Sequence, residues 1–252
     1  MQKITLINRR EVAPALFELC FTRPDNWGYD AGQFARIGMT LEEGDVFRAY
    51  SIASAPESST LDFLVKSVTD GALSPKLCAL NPGDTVMLDG DAQGNLLPAR
   101  IAGNSDVWMM ATGSGLAPFL AMLADPKALA MFSCRLLVIG ARTRAETDQL
   151  AAYAREKAKV DVEILTAASR EEGPLTGRLP TLIESGALEA AAHTTFTPDQ
   201  SRILLCGNPD FIRATRAIFK AKGIVSPRLG KPVNCSLNHC GSLRVTFFYL
   251  FF

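Results

Sequence analysis

Val107-Trp108-Met109-Met110-Ala111-Thr112-Gly113-Ser114-Gly115-Leu116-Ala117-Pro118 decides the fold. An apolar run enters a turn with two glycines, and a helical pattern leaves it. A continuous apolar run bounded by glycine reads as a strand buried on both faces. Gly113 and Gly115 lack a Cβ, so the backbone can turn tightly and approach a ligand. Pro118 suits a first helical turn, where a missing N–H costs nothing. The start of that helix aims unpaired N–H groups and a positive dipole end at the turn, an arrangement that holds phosphate. The three-glycine dinucleotide fingerprint is absent. Structural strand–turn–helix junctions also use glycine, so the stretch alone leaves phosphate binding and a purely structural turn both open.

Working outward, strands keep alternating with helices on the C-terminal side. Leu116 to Leu123 reads as a helix, Leu136 to Ile139 as a strand, and Ala145 to about Lys157 as a helix. Val160 to Thr166 and Ile203 to Cys206 read as strands, and Phe211 to Lys222 as the last helix. Repeated strand–helix units imply a parallel sheet covered on both faces. On the N-terminal side the pattern is all β. Apolar or alternating runs at Ala15–Thr22, Gln33–Gly38, Leu61–Lys66 and Thr85–Asp89 are punctuated by Gly and Pro. Short strands at this spacing suggest a small antiparallel barrel. The pattern changes within Arg100-Ile101-Ala102-Gly103-Asn104. The expected organisation is therefore an antiparallel β-barrel over residues 1–101 and a parallel-sheet α/β domain over 102–252.

Composition narrows the function classes. Of 252 residues, 21% are charged and 48% hydrophobic, an ordinary globular mix. Lys+Arg and Asp+Glu both number 26, so the basic excess of a chain that coats nucleic acid is missing. Cys20, Cys78, Cys134 and Cys206 lie in or beside apolar runs and read mostly as buried reduced thiols. No CxxC pair occurs, and two isolated histidines, His193 and His239, argue against zinc. The N-terminus lacks the apolar core of a signal peptide, and no stretch is long and apolar enough to span a bilayer. A cytoplasmic location is expected.

Arg48-Ala49-Tyr50-Ser51-Ile52-Ala53-Ser54 is the second informative stretch. On a strand, Arg48 and Tyr50 share a face. A guanidinium pairs well with a diphosphate, and a phenol ring can cover a flat heterocycle. Spacing alone fits an ordinary edge strand with an exposed Arg and Tyr equally well. Tyr50–Ser51 offers no base partner, which argues against a serine hydrolase.

These residues resemble the FAD motif of the bacterial ferredoxin/flavodoxin–NADP reductase family, Arg-x-Tyr-Ser-x-Ala-Ser. Further blocks follow in that family's order. Asp70-Gly71-Ala72-Leu73-Ser74-Pro75 is similar to its second flavin segment, and Ala111–Phe119 to its NADP phosphate turn. Gly140-Ala141-Arg142, Ser169-Arg170-Glu171 and Leu175-Thr176-Gly177-Arg178 are similar to its NADP-recognition segments. Leu205-Cys206-Gly207-Asn208-Pro209 resembles its nicotinamide-side loop, and Lys231-Pro232 the start of its closing segment. The resemblance runs from residue 1 to about 234.

The resemblance implies FAD and NADP(H) as cofactors and assigns roles. Arg48, with Ala49 beside it, would bind the FAD diphosphate, Tyr50 would stack on the isoalloxazine, and Ser51 would hydrogen-bond near its N5. Val65, Lys66 and Ser67, with Ala72, Leu73 and Ser74, would line the flavin with backbone groups. Thr112 would lie where the two cofactors meet, and Gly113 and Gly115 would let the turn approach the NADP phosphate. Ala141, Arg142, Ser169, Arg170 and Arg178 would hold the nucleotide. Arginines rather than an acid at the ribose favour NADP over NAD, although a solvated surface charge is the commoner fate of arginine. Cys206, Gly207, Asn208 and Pro209 would shape the nicotinamide pocket, with Asn208 as helix N-cap and Pro209 as its first residue. The implied activity is an FAD-dependent reductase that passes electrons between NADPH and a small one-electron carrier, ferredoxin or flavodoxin. It is read as a monomer with no nucleic acid partner. Rival readings are a same-fold NAD(P)H–flavin or quinone reductase and a non-catalytic redox sensor.

From about Cys235 the resemblance stops. The tail to Phe252 is too short to span a membrane. It could pack on the protein, cover the flavin or promote association. Cys235, His239 and Cys240 are expected to hold no metal.

Overall fold

A computed structural model describes residues 1–42, 44–101, 105–224 and the backbone of 246–247. Lys231-Pro232 and the remaining expectations for the tail, Cys235, His239 and Cys240 included, lie outside the described residues.

The N-terminal half has strands β1 (Gln2–Ala13), β2 (Leu16–Thr22), β3 (Phe34–Leu41), β4 (Gly44–Ser51), β5 (Thr60–Lys66) and β6 (Thr85–Gln93), with one short helix, α1 (Ser74–Cys78). They form one antiparallel sheet in the order β4-β3-β6-β1-β2-β5. The two edges meet only briefly, through the bridge Ile52↔Phe63 and the Ala53 N–H donating to Asp62 O at 2.7 Å. The sheet is therefore barrel-like, and among the described residues β5 over Leu64–Lys66 has a strand beside it on one edge alone. Alternation fills the interior: Leu61, Phe63 and Val65 of β5 meet Ile4, Leu6, Phe21, Ile37 and Leu88. β1 is the strand not expected from sequence. Its charged residues hide a two-residue inward alternation, Ile4 and Leu6.

The C-terminal half opens with β7 (Asp106–Thr112), a 3-10 turn (Gly113–Leu116) and α2 (Ala117–Ala124). There follow β8 (Cys134–Ala141), α3 (Arg144–Lys157), β9 (Glu163–Ala168), α4 (Leu179–Glu184), α5 (Ala187–Ala191), β10 (Ser201–Cys206) and α6 (Pro209–Ala221). The strands are parallel in the order β10-β7-β8-β9, and Thr246–Phe247 (β11) pairs parallel with β10 at the outer edge. Each strand divides its side chains between two cores. Val107, Met109 and Ala111 of β7 pack with α2 and α3, whereas Trp108 and Met110 pack with α4, α5 and α6. Both faces are covered, as the apolar run of β7 requires.

Two details differ from the sequence reading. β9 starts later than Val160, because Val160 and Val162 pack under α3 before the strand begins and the Lys159 N–H is held by Leu123 O at 2.8 Å. Cys20 and Cys134 are half-buried rather than buried, while Cys78 and Cys206 are buried; all four are free thiols.

The halves share a continuous apolar contact. Ala13, Leu16, Ala53 and Leu64 of the barrel side belong to the same core as Leu116, Phe119 and Leu120. Beside it lies an ionic cluster. Glu18 on β2 pairs with Arg10 of β1 at 3.1 Å and with Lys157 of α3 at 2.5 Å, and Arg10 also reaches Glu156 of α3 at 2.8 Å. Arg10 and Lys157 both lie over the ring of Tyr153, at 5.0 and 5.5 Å from its centroid.

Candidate functional site

The site is built where the C-terminal ends of β7 and β10 run side by side, with Cys206 in register with Ala111. Ends of parallel strands followed by turns into helices are where open α/β sheets bind ligands. Gly113 has φ +56° and faces open space. Gly115 is needed for a different reason: a Cβ there would collide with the backbone of Cys206 and Gly207. Gly207, at φ +140°, is packed so closely on Thr112 that a Cβ would strike its hydroxyl. Thr112 Oγ1 in turn accepts from the Asn208 N–H at 3.0 Å. The two turns are thus locked together through main chain.

Asn208 caps α6, its Oδ1 accepting from the N–H groups of Asp210 (2.8 Å) and Phe211 (3.4 Å), with Pro209 in the first turn. The cap and the proline were both read from sequence, and both are present. α2 carries Pro118 in its first turn as expected.

The barrel delivers Ser51 to the same place. Ser51 ends β4 with 3% exposure, Cys206 ends β10 with 2%, and the Ser51 hydroxyl lies close enough to temper the Cys206 thiol. Burial is the larger effect and pushes that thiol up to about 12, with the Gly207 N–H and Ser51 pulling the other way. The Ser51 hydroxyl is buried without a hydrogen bond of normal geometry. Such an orphan costs about 1–3 kcal/mol and asks for a partner. Tyr50 is buried beside Cys78, and burial raises its phenol to about 12. Arg48 is exposed, near Tyr50, and donates from Nη1 to its neighbour Phe47 O at 2.8 Å; Ala49 between them is half-buried.

At the end of β5, Val65 is buried and Lys66 and Ser67 are half-buried. The Ser67 N–H is held by Ala15 O at 2.8 Å, and Lys66 Nζ by Pro14 O at 2.6 Å. Ala72 is exposed, Leu73 is the N-cap of α1, and Ser74 begins it, its hydroxyl accepting from the Val68 N–H at 3.2 Å.

The nucleotide-side residues gather at the ends of β8 and β9. The Ser169 N–H donates to Ala141 O and the Arg170 N–H to Arg142 O, both at 3.0 Å. The Gly177 N–H returns to Ala168 O at 3.0 Å, which brings Arg178, the N-cap of α4, to the same edge. Arg142, Arg170 and Arg178 are exposed, and none has an ion-pair partner among the described residues. Among those residues no cluster of His, Cys, Asp and Glu could hold a metal, and no helix is long and apolar enough to cross a membrane.

With this geometry in view, the comparisons are specific. Residues 3–96 match the family model of the oxidoreductase FAD-binding domain. The flavodoxin/ferredoxin–NADP reductase of Shigella flexneri is 37% identical over 206 residues, covering 80% of this chain and 83% of the relative. The chain belongs to the flavodoxin/ferredoxin–NADP reductase family. The ferredoxin–NADP reductase of Azotobacter vinelandii is 30% identical over 228 residues, with 86% and 88% covered. The crystal structure of a ferredoxin NADP+ reductase from Neisseria gonorrhoeae with bound FAD and NADP superposes with a TM-score of 0.84 at 30% identity, covering 98% of each chain.

For a member of this reductase family, the raised Cys206 thiol has a testable consequence. The thiol stays neutral from pH 6 to 9. Its folded value lies above the ordinary thiol value of 9.0, so the unfolded chain releases its proton first and stability falls as pH rises from 9.0 towards about 12. Peptide mapping after iodoacetamide at pH 8 should find Cys206 unmodified in the native protein and modified in urea.

Proposed function

We propose that this chain is an FAD-dependent oxidoreductase that passes electrons between NADPH and a ferredoxin or flavodoxin. The observation that carries the reading is the meeting of Ser51 and Cys206. One comes from the barrel and one from the parallel sheet, and both are buried beside the close contact between Thr112 and Gly207. A site for stacking two flat rings needs contributions from both halves at one point.

The residues present fit FAD. The unpartnered Ser51 hydroxyl is a donor awaiting an acceptor, and Arg48 offers a guanidinium that no carboxylate engages among the described residues. When bound, FAD accepts hydride from the nicotinamide and releases single electrons to the carrier. In this reading Tyr50 covers the isoalloxazine, Ser51 hydrogen-bonds at its N5 edge, and Arg48, with Ala49, holds the diphosphate. Val65, Lys66 and Ser67, with Ala72, Leu73 and Ser74, line the flavin. Thr112 lies where the two cofactors meet, Gly113 supplies the left-handed turn after β7, Gly115 lets that turn pack on the Cys206–Gly207 backbone, and Cys206, Gly207, Asn208 and Pro209 shape the nicotinamide pocket. Cys206 acts by shape, since its neutral thiol is a poor nucleophile. Ala141, Arg142, Ser169, Arg170 and Arg178 hold the adenosine, and three cations suit a 2′-phosphate.

The barrel domain ends near 101 and the nucleotide domain begins near 102. This boundary rests on the change from antiparallel to parallel strands and on the family match ending at 96. A cytoplasmic location fits the free thiols among the described residues.

Anaerobic titration tests the proposal. The purified protein should be yellow, bleach with stoichiometric NADPH, respond far more weakly to NADH, and then reduce flavodoxin or ferredoxin. Ser51→Ala should retain FAD and slow flavin reduction by about 100–1,000-fold, the usual loss when a preorganised donor is removed. A bound flavin that NADPH never reduces would overturn the enzyme reading.

A further inference from the structure

The loop between β9 and α4 carries Arg170 and leads to Arg178, and it is fastened to the start of α3 by contacts outside the nucleotide site proper. The Glu171 carboxylate accepts from the Arg144 N–H at 2.7 Å, at the first residue of α3. Arg144 Nη1 donates to Glu172 O at 3.3 Å. The Arg144 guanidinium packs so closely on Gly173 that a Cβ there would collide with it. The Gly173 N–H donates to Thr176 Oγ1 at 2.8 Å, and the Thr176 hydroxyl turns back towards Gly173 O at 3.1 Å. The loop is thereby held at both ends and in its middle.

We infer that Glu171 is a positioning residue for the 2′-phosphate cations, with Arg144 as its anchor. The inference rests on the nucleotide roles proposed above. Arg142, Arg170 and Arg178 are like charges on long stems, and bringing them to one edge is electrostatically unfavourable without a fixed backbone. Glu171 directly follows Arg170 in sequence and is an acid that could neutralise it. Instead its carboxylate is engaged by main-chain N–H at the positive end of α3. Glu146 is engaged similarly, accepting from the Arg142 N–H at 3.3 Å. Both acids therefore fix the backbone under the arginines and leave the guanidiniums unpaired for a phosphate.

The test uses the FAD-loaded enzyme, with adenosine 2′,5′-bisphosphate as probe of the 2′-phosphate and 5′-AMP as control. Glu171→Ala should raise the KM for NADPH and the Ki for the bisphosphate about tenfold, with kcat, NADH kinetics and 5′-AMP binding unchanged. Glu171→Gln keeps an oxygen that accepts from the Arg144 N–H and should stay within about twofold of wild type. Should Glu171→Ala fail to fold, Arg144→Ala removes the side-chain half of the anchor and should move bisphosphate affinity the same way, by about threefold. Equal losses for NADPH and NADH, or a Gln variant as weak as Ala, would overturn the inference. Arg170→Ala separates the two levels. If it leaves bisphosphate affinity unchanged, the 2′-phosphate reading itself fails. If it weakens binding while Glu171→Ala and Arg144→Ala do not, only the positioning role fails.

Discussion

Gly115→Ala is expected to yield a protein that still takes up FAD but is reduced by NADPH at least about 100-fold more slowly, because a displacement near 1 Å at a hydride-transfer site has that order of effect. The added methyl meets the backbone of Cys206 and Gly207 rather than a side chain that could rotate away. Relief requires the turn after β7 to separate from the end of β10. That movement shifts Thr112 and Cys206 relative to Ser51. Overpacking of this kind costs about 1–3 kcal/mol, and each kcal/mol lowers Tm by about 2–4 °C in a chain of this size. Gly113→Ala is the internal control. Its φ is +56° but its Cβ would enter open space, so it should cost only about 1–2 kcal/mol of left-handed backbone strain and slow reduction much less. Stopped-flow reduction of both variants decides the matter. Equal rates would mean that the Gly115–Cys206 contact does not set the geometry.

That contrast between two neighbouring glycines was not legible in the sequence. In the sequence both belong to one turn that fits phosphate binding or a structural junction alike, since the stretch shows their absence of side chain but not what lies opposite. What lies opposite is β10, far along the chain. The strand–turn–helix itself was legible because the apolar run of β7 is continuous, as a strand covered on both faces demands. The same logic exposed β8, β10 and the cap at Asn208. It failed at β1, where charged residues occupy the outward positions and only Ile4 and Leu6 mark the inward face, and at the short helices α4 and α5, whose apolar residues span barely one turn each. At the site, Arg48, Tyr50, Ser51 and the arginines were reachable only through resemblance. Their own spacing fits a plain edge strand and solvated charges. The meeting of Ser51 with Cys206, and the pairing of Glu171 with Arg144, are products of topology that no local pattern carries.

The ionic cluster between the halves was invisible for the same reason, and it should carry a large part of their mutual orientation. Glu18 is 8% exposed and faces Arg10 and Lys157, which are 40% and 28% exposed. Removing one partner of a buried pair typically costs about 3–5 kcal/mol, because the other charge is left unsatisfied. Here Arg10 keeps Glu156 at 2.8 Å and Lys157 keeps Asp62 at 4.0 Å, and both cations reach water. The expected loss for Glu18→Ala is therefore about 2–3 kcal/mol, or roughly 4–12 °C in Tm. Glu156→Ala removes a carboxylate that is 52% exposed and should cost no more than about 1 kcal/mol. Tyr153 supports the picture: burial, and then the nearby Glu18 charge, hold its phenol far above the ordinary range. Arg10 and Glu18 belong to β1 and β2, while Tyr153, Glu156 and Lys157 belong to α3, so the cluster ties the barrel to the sheet that carries Cys206. Loosening it should slow flavin reduction by NADPH about 3–10-fold at temperatures where the variant remains folded, through poorer alignment across the cleft. A double-mutant cycle between Glu18→Ala and Lys157→Ala should show at least about 1 kcal/mol of coupling. Additive losses would show that the two charges act separately, and the orientation of the halves would then rest on the apolar contact of Leu16 and Leu64 with Leu116 and Leu120 alone.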